Sequence, residues 1–140
     1  NKVASGQIIL LVRALRENNF DKVFQLLTNI FSSIPYDIHI EMEKYYQSLF
    51  YLIFSLIDTR IEVAAEKRTS KGRIDIILID RCIYIIEFKF GGTKEGALQQ
   101  IKDKKYYEPF LINGKDIYLI GAVFDNKNIS EWVVEKLQSK

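Results

Sequence analysis

The segment from Gly72 to Phe90 constrains the fold more than any other part of the chain. Its sequence, GRIDIILIDRCIYIIEFKF, predicts two apolar β-strands joined by a tight turn. Strands that are apolar on both faces are covered on both sides, so helices should flank this hairpin. Yet Asp75, Glu87 and Lys89 occupy positions where a core strand normally carries aliphatic residues. Burying an unpaired charge is costly, so the three charges indicate either chemistry or a salt bridge.

The length of the turn decides which of these charges face each other. A three-residue turn at Asp80-Arg81-Cys82 places Asp75 opposite Glu87 and Arg73 opposite Lys89. Acid opposite acid and base opposite base destabilise an ordinary sheet. Two facing carboxylates, however, are suitable ligands for Mg²⁺, which binds oxygen. This register therefore predicts a metal site.

Two other turns remain open. A two-residue turn would place Asp75 opposite Ile86 and would put Glu87 on the other face. A turn at Arg81-Cys82-Ile83 would place Asp75 opposite Lys89, and the charges would then form a salt bridge. We rank this last alternative second, because it leaves an apolar isoleucine in a turn.

Length and composition exclude several classes of site. The 140 residues predict one domain, and a net charge of +2 does not by itself indicate a nucleic-acid-binding protein. An internal disulfide or a cysteine-based zinc site needs more than the single Cys82. The single histidine, His39, gives little support to histidine-centred metal sites or Ser-His-Asp catalysis. The sequence also contains no G-x-x-x-x-G-K-[ST] phosphate loop.

Hydropathy predicts neither a membrane span nor a signal peptide, so we expect a cytoplasmic protein. Because the chain starts at Asn1, without methionine and inside a helical pattern, we expect it to be a fragment or a processed product.

The first third of the chain predicts helices. One helix spans about Ser5 to Arg16, and a second is capped by Asp21. The Ser32–Pro35 segment then marks a boundary, which divides the chain into an N-terminal helical segment (1–35) and a main domain (36–140). A strongly apolar third helix follows, from about His39 to Ile57. Its Glu43 borders the apolar stripe, and from the pattern alone a solvent edge is favoured over a functional role.

The rest of the chain predicts strands and two more helices. A strand covers Arg60 to Arg68, and the hairpin follows it. Thr93 caps a helix that runs to about Tyr107, and another apolar strand spans Ile117 to Phe124. Ser130 is predicted to cap a last helix. The first three strands should form an antiparallel meander, and the fourth should lie parallel to its neighbour after a right-handed crossover.

The hairpin and the helices on either side of it carry a family resemblance. The spacing D-x11-E-x-K on a hairpin, between a helix bearing Glu and a helix bearing Gln, resembles the PD-(D/E)XK nuclease superfamily. The similarity covers roughly Glu43 to Phe124, with the strings YYQSLFYLIF, RTSKGRIDIIL, YIIEFKF, ALQQIKDKKY and YLIGAVF. It is closest to nuclease-like domains at the C-terminus of AAA-ATPase-like proteins of Bacteroidetes.

The resemblance implies an α/β fold with a restriction-endonuclease-like core. In that core, αβββαβ, a central mixed sheet is flanked by helices, here preceded by an N-terminal helical hairpin. It also implies that residues 1–35 are the helical connector after an N-terminal ATPase domain of the same polypeptide, which would be a partner.

The resemblance further implies catalytic residues: Asp75 as the first acid, Glu87 and Lys89 as the E-x-K, Glu43 from the preceding helix, and Gln100 from the following helix. Asp75, Glu87, Glu43 and the backbone carbonyl of Phe88 would hold Mg²⁺ or Mn²⁺. One departure is Ile74, which replaces the proline that often precedes the first acid.

Three functions follow from this reading. The first is metal-dependent hydrolysis of nucleic acid, DNA rather than RNA, with nucleic-acid contacts from Arg73, Lys71, Lys94 and Tyr106. Basic residues of this kind are most often simply solvated. The second is an inactive nuclease-like fold that serves as a binding module of a larger ATPase. The third is a buried ion-pair network without metal. Because all the site residues are present together, we favour the first.

Overall fold

The computed structural model describes residues 2–32, 62–68, 73–125 and 128–137. The predicted third helix with Glu43, and also Lys71, lie outside the described residues. The helices are α1 (Lys2–Arg16), α2 (Phe20–Ser32) and α3 (Lys94–Lys104), followed by a 3₁₀ helix (Glu108–Asn113). The strands are β1 (Glu62–Arg68), β2 (Arg73–Ile79), β3 (Ile83–Phe90), β4 (Ile117–Asp125) and β5 (Asn128–Lys136).

The five strands form one mixed sheet in the order β1-β2-β3-β4-β5. Neighbours are antiparallel except β3 and β4, which are parallel and connected through α3. The predicted meander and the predicted parallel fourth strand are therefore confirmed. The result is the mixed α/β sheet with flanking helices that the resemblance implies.

The predicted last helix is wrong. Residues 128–136 form β5, which pairs antiparallel with β4. The segment contains Trp132, Val133 and Val134, residue types that fit a pleated, half-buried surface better than a helix. Pairing with β5 also satisfies the backbone groups along the outer edge of β4, which a helix could not do.

The two faces of the sheet bury different layers. On one face, α1 and α2 pack their apolar residues against the sheet in a single core that includes Leu15, Phe24, Tyr84 and Phe88. On the other face, α3 covers a smaller cluster around Ile85 and Leu119. The described residues contain no helix that is long and apolar enough to cross a membrane.

Side-chain caps fix the residues at which α3 and α2 begin. Thr93 caps α3 as predicted, because its hydroxyl accepts a hydrogen bond from the Gly96 amide at 3.0 Å. At α2 the cap differs from the prediction. The side chain of Asn19 accepts a hydrogen bond from the Lys22 amide at 3.3 Å, and Asp21 lies inside the first turn of the helix.

Candidate functional site

The β2–β3 hairpin adopts the register that the three-residue turn predicts. Asp75 pairs with Glu87 and Arg73 pairs with Lys89, so the other two registers are wrong. The turn is held from several sides. Within it, the Asp80 amide donates to the carbonyl of Cys82 at 3.0 Å. The turn is also anchored from outside, because Arg16 Nε donates to Asp80 Oδ2 at 3.1 Å.

The acid pair belongs to a longer row across the sheet. Glu66 on β1 pairs with Asp75, and Glu87 pairs on its other side with Gly121 of β4. Three acids on three adjacent strands thus occupy equivalent register positions. Sequence reasoning missed Glu66, although the same register count, extended to β1, would have found it.

A second row carries positive charge two positions further along β3. Arg68 pairs with Arg73, which pairs with Lys89. Like charges opposite each other are unfavourable in a sheet. An acidic row beside a basic row, at the same end of three strands, would suit a cation together with an anionic ligand.

Among the described side chains, Glu87 is the charged residue that is completely buried, with 0% of its surface exposed. Alternation along β3 places it on the α3 face, with Ile83 and Ile85, while Phe88 points into the opposite core. Taking a carboxylate out of water costs several kcal/mol, so its retention there argues for a function that needs charge.

Helix α3 lies very close to the sheet over this site. A β-carbon added to Gly121 would lie 2.5 Å from the carbonyl oxygen of Lys94 and 2.7 Å from the amide nitrogen of Leu98. No side chain fits at such distances. Gly121, the register partner of Glu87, therefore lets the first turns of α3 approach the sheet directly beside the buried carboxylate.

Lys89 extends from the sheet toward the start of α3. Its Cδ lies 3.4 Å from the position of a β-carbon at Gly92, and its Nζ lies 3.0 Å from that position at Gly96. Gln100 is half-buried and four residues after Gly96. Residues four apart share a helix face, so the ammonium approaches the face of α3 that carries Gln100.

The other predicted residues lie around this centre or elsewhere. Lys94 is the first residue of α3 and is half-buried. Tyr106 follows α3, and its ring packs against the apolar cluster on that face of the sheet. Among the described residues, no group of three or more His, Cys, Asp or Glu side chains is arranged to hold a metal ion. The third predicted ligand, Glu43, lies outside them.

The residues present nevertheless fit a hard divalent cation. Carboxylate oxygens from Asp75 and Glu87 and the carbonyl oxygen of Phe88 are the donor types that Mg²⁺ prefers. They lie on two paired strands of the sheet. Donors of these types, combined with the burial of Glu87, are compatible with a divalent cation beside the basic row.

Comparison with known proteins agrees with this geometry. The PD-(D/E)XK nuclease superfamily model matches residues 41–133. A protein of Azotobacter chroococcum mcd 1, "Uncharacterized protein in vnfD 5'region", is 37% identical over 143 residues, covering 95% of this chain. The chain spans only 27% of that relative. The sheet, the acidic pair, the following lysine and the family match lead to one conclusion: the chain belongs to the PD-(D/E)XK nuclease superfamily.

Proposed function

We propose that the chain hydrolyses phosphodiester bonds of nucleic acid, DNA rather than RNA, with Mg²⁺ or Mn²⁺ as cofactor. The observation that carries the proposal is the pairing of Asp75 with a completely buried Glu87 at the centre of the sheet. A fold that needed only stability would place apolar residues there.

The metal would be held by the carboxylates of Asp75, Glu87 and Glu43 and by the carbonyl of Phe88. When bound, such an ion lowers the pKa of a coordinated water and offsets negative charge on the scissile phosphate. Burial of Glu87 fits this role, because a carboxylate attracts a cation more strongly where water does not screen its charge.

Lys89 would orient the attacking water and compensate the charge that develops on the phosphate. Its ammonium lies at the start of α3, on the helix face that carries Gln100, so the two side chains can act on one group. Arg73, Lys71 and Lys94 would bind phosphate oxygens, which positions a strand without reading its sequence. Contact of Tyr106 with nucleic acid stays a prediction.

The test is cleavage of plasmid DNA and of a matched RNA by the purified chain with Mg²⁺ or Mn²⁺. We expect Asp75→Ala, Glu87→Gln and Lys89→Ala each to reduce cleavage of the order of 100-fold or more, because the first two lose a charged metal ligand and the third loses the cation beside the phosphate. The matched controls are Glu17→Gln and Lys22→Ala, which change exposed residues beside α1 and on α2, on the other side of the sheet from α3.

The outcomes separate the claims. Equal cleavage by the parent chain and all three site variants would contradict the proposal and point to a contaminating nuclease. Absence of Mn²⁺ binding by calorimetry would overturn the metal site. Binding of DNA without cleavage would favour the second function, a nuclease-like binding module, for which the row Arg68, Arg73 and Lys89 supplies positive charge. The ATPase partner and the cytoplasmic location stay predictions.

A further inference from the structure

We propose that Gly96 is a positioning residue for Lys89: by carrying no side chain, it leaves the space that the Lys89 ammonium occupies above the first turn of α3. This inference rests on the proposed function, in which Lys89 acts on the reacting phosphate. It assigns a role to a residue outside the D-x11-E-x-K pattern.

The Lys89 side chain runs past Gly92 and ends beside Gly96. A β-carbon at Gly96 would lie 3.0 Å from Lys89 Nζ and 3.9 Å from Lys89 Cε. At the other end, a β-carbon at Gly92 would lie 3.4 Å from Lys89 Cδ, an ordinary contact. A β-carbon at position 96 would therefore push the ammonium aside by a few tenths of an ångström, while the stem of the lysine stays in place.

The backbone does not explain why position 96 is glycine. Gly96 is in helical conformation in the first turn of α3, and it is absent from the described glycines with positive φ, which are Gly91, Gly92 and Gly114. Glycine is a poor helix former, so alanine would be the better residue for α3 alone. Space for Lys89 is one feature of the structure that accounts for the glycine.

One neighbour offers a competing explanation. The hydroxyl oxygen of Thr93 also lies 3.0 Å from the β-carbon position of Gly96, because it caps the helix by accepting the Gly96 amide hydrogen. Crowding against Thr93 would affect the helix cap, whereas crowding against Lys89 would affect the ammonium. If Lys89 is crowded, the effect of Gly96→Ala on stability depends on the side chain at position 89. If Thr93 is crowded, the effect is the same whichever residue stands at position 89.

The first experiment follows Lys89 directly. NMR spectra of chain labelled with ¹³Cε-lysine, with the Lys89 signal assigned from Lys89→Arg, would be compared for the parent, Gly96→Ala and Gly96→Leu. We expect the Lys89 signal to move in Gly96→Ala and to move further in Gly96→Leu. Gly6→Ala and Gly6→Leu are the matched controls, since a β-carbon at Gly6 meets no atom within 4 Å.

The second experiment measures cleavage and stability. Since displacement of a reacting group by about 1 Å costs roughly 100-fold in rate, a shift of a few tenths of an ångström in Gly96→Ala should lower kcat roughly 3–10-fold, with little change in KM. In a Lys89→Met background the ammonium is absent. Gly96→Ala should therefore raise the melting temperature more in that background than in the parent. An equal change of the melting temperature in both backgrounds, whether a rise or a fall, would assign the crowding to Thr93 and overturn the proposal.

The NMR result separates this proposal from the proposed function. An unmoved Lys89 signal in both Gly96 variants would overturn the positioning role even if cleavage falls. A moved signal would support the placement of Lys89 by Gly96 even if the parent chain cleaves no nucleic acid, and that second finding would contradict only the nuclease function.

Discussion

In the proposed function, the buried carboxylate of Glu87 would couple metal binding to folding. A cation that binds only the folded chain stabilises it, by about 2.7 kcal/mol at a free concentration 100 times Kd. We expect saturating Mn²⁺ to raise the melting temperature of the parent and to leave Glu87→Gln unchanged, because the variant has lost a charged ligand. Thermal unfolding with and without Mn²⁺ checks this. Glu17→Gln, at an exposed position beside α1, should respond like the parent; equal stabilisation of Glu87→Gln would contradict the ligand assignment.

Tyr84 gives the fold a dependence on alkaline pH. Burial, with smaller contributions from Cys82 and Asp80, raises the pKa of Tyr84 well above its usual range. Its hydroxyl donates toward the Leu15 carbonyl at 3.1 Å and the Asn18 side-chain oxygen at 2.9 Å. The neutral phenol is therefore favoured in the folded chain. Its contribution is fully present below the ordinary tyrosine pKa of about 10 and is lost as pH rises above it.

Replacement of Tyr84 by phenylalanine tests this dependence. We expect Tyr84→Phe to lower the free energy of unfolding at pH 8 by about 0.5–1.5 kcal/mol, the usual net value of a hydrogen bond. Above pH 10 the gap between parent and variant should shrink, because the unfolded parent then loses the phenolic proton while the folded chain keeps it. Urea denaturation at pH 8 and pH 11 measures both. A constant difference between the two would contradict a role for Tyr84 ionisation.

At the scale of elements, the contact between α3 and β4 depends on Gly121. A β-carbon there would lie 2.5 Å and 2.7 Å from backbone atoms of α3, which cannot rotate away as a side chain does. We expect Gly121→Ala to shift α3 and to destabilise the chain by about 1–3 kcal/mol, as overpacking does elsewhere. Cleavage should fall as well, since α3 carries Gln100 and faces Lys89.

Comparison with Gly6→Ala separates this effect from helix propensity. Gly6 lies in α1 with open space around it, so alanine there should be neutral or slightly stabilising. Urea denaturation of both variants provides the measurement. Parent-like stability and cleavage in Gly121→Ala would show that the close approach of α3 is unimportant for the site.

The elements also show what the sequence could and could not predict. The register of Asp75 opposite Glu87 followed from the turn length, because alternation in a hairpin is fixed once the turn is known. The helix predicted after Ser130 was wrong, because a short amphipathic segment gains its strand conformation from pairing with β4. The roles of Gly96 and Gly121 depend on distances between separate elements, which no local pattern contains.

At the scale of the whole molecule, the two faces of the sheet have different tasks. The face under α1 and α2 is a large apolar core, into which Phe88 projects. The face under α3 carries Glu87 and Lys89 at one end of a smaller cluster. Neighbouring residues of β3 project to opposite faces. The same strand therefore carries buried charge on one face and aromatic packing on the other.

The N-terminal helical hairpin packs in the same core as the sheet, and its role as a connector (residues 1–35) stays a prediction. Phe24 stacks on Trp132 with ring centroids 5.0 Å apart, and Trp132 Nε1 donates to Asp21 Oδ1 at 3.0 Å. Leu11, Leu15 and Leu27 are almost completely buried in the same core as the sheet residues. Each such side chain contributes about 1.5–3 kcal/mol by its burial.

Deletion of residues 1–32 should therefore prevent folding, because the lost burial is comparable with the total stability of a domain, about 5–15 kcal/mol. Far-ultraviolet circular dichroism and urea denaturation of the shortened chain provide the measurement. Two point variants calibrate it: Leu15→Ala should cost about 2–5 kcal/mol, whereas Ile9→Ala, at a position that is 63% exposed, should cost little. A shortened chain that folds cooperatively and still cleaves DNA would instead establish the hairpin as a separable connector, and the aromatic face of β3 would then need another cover.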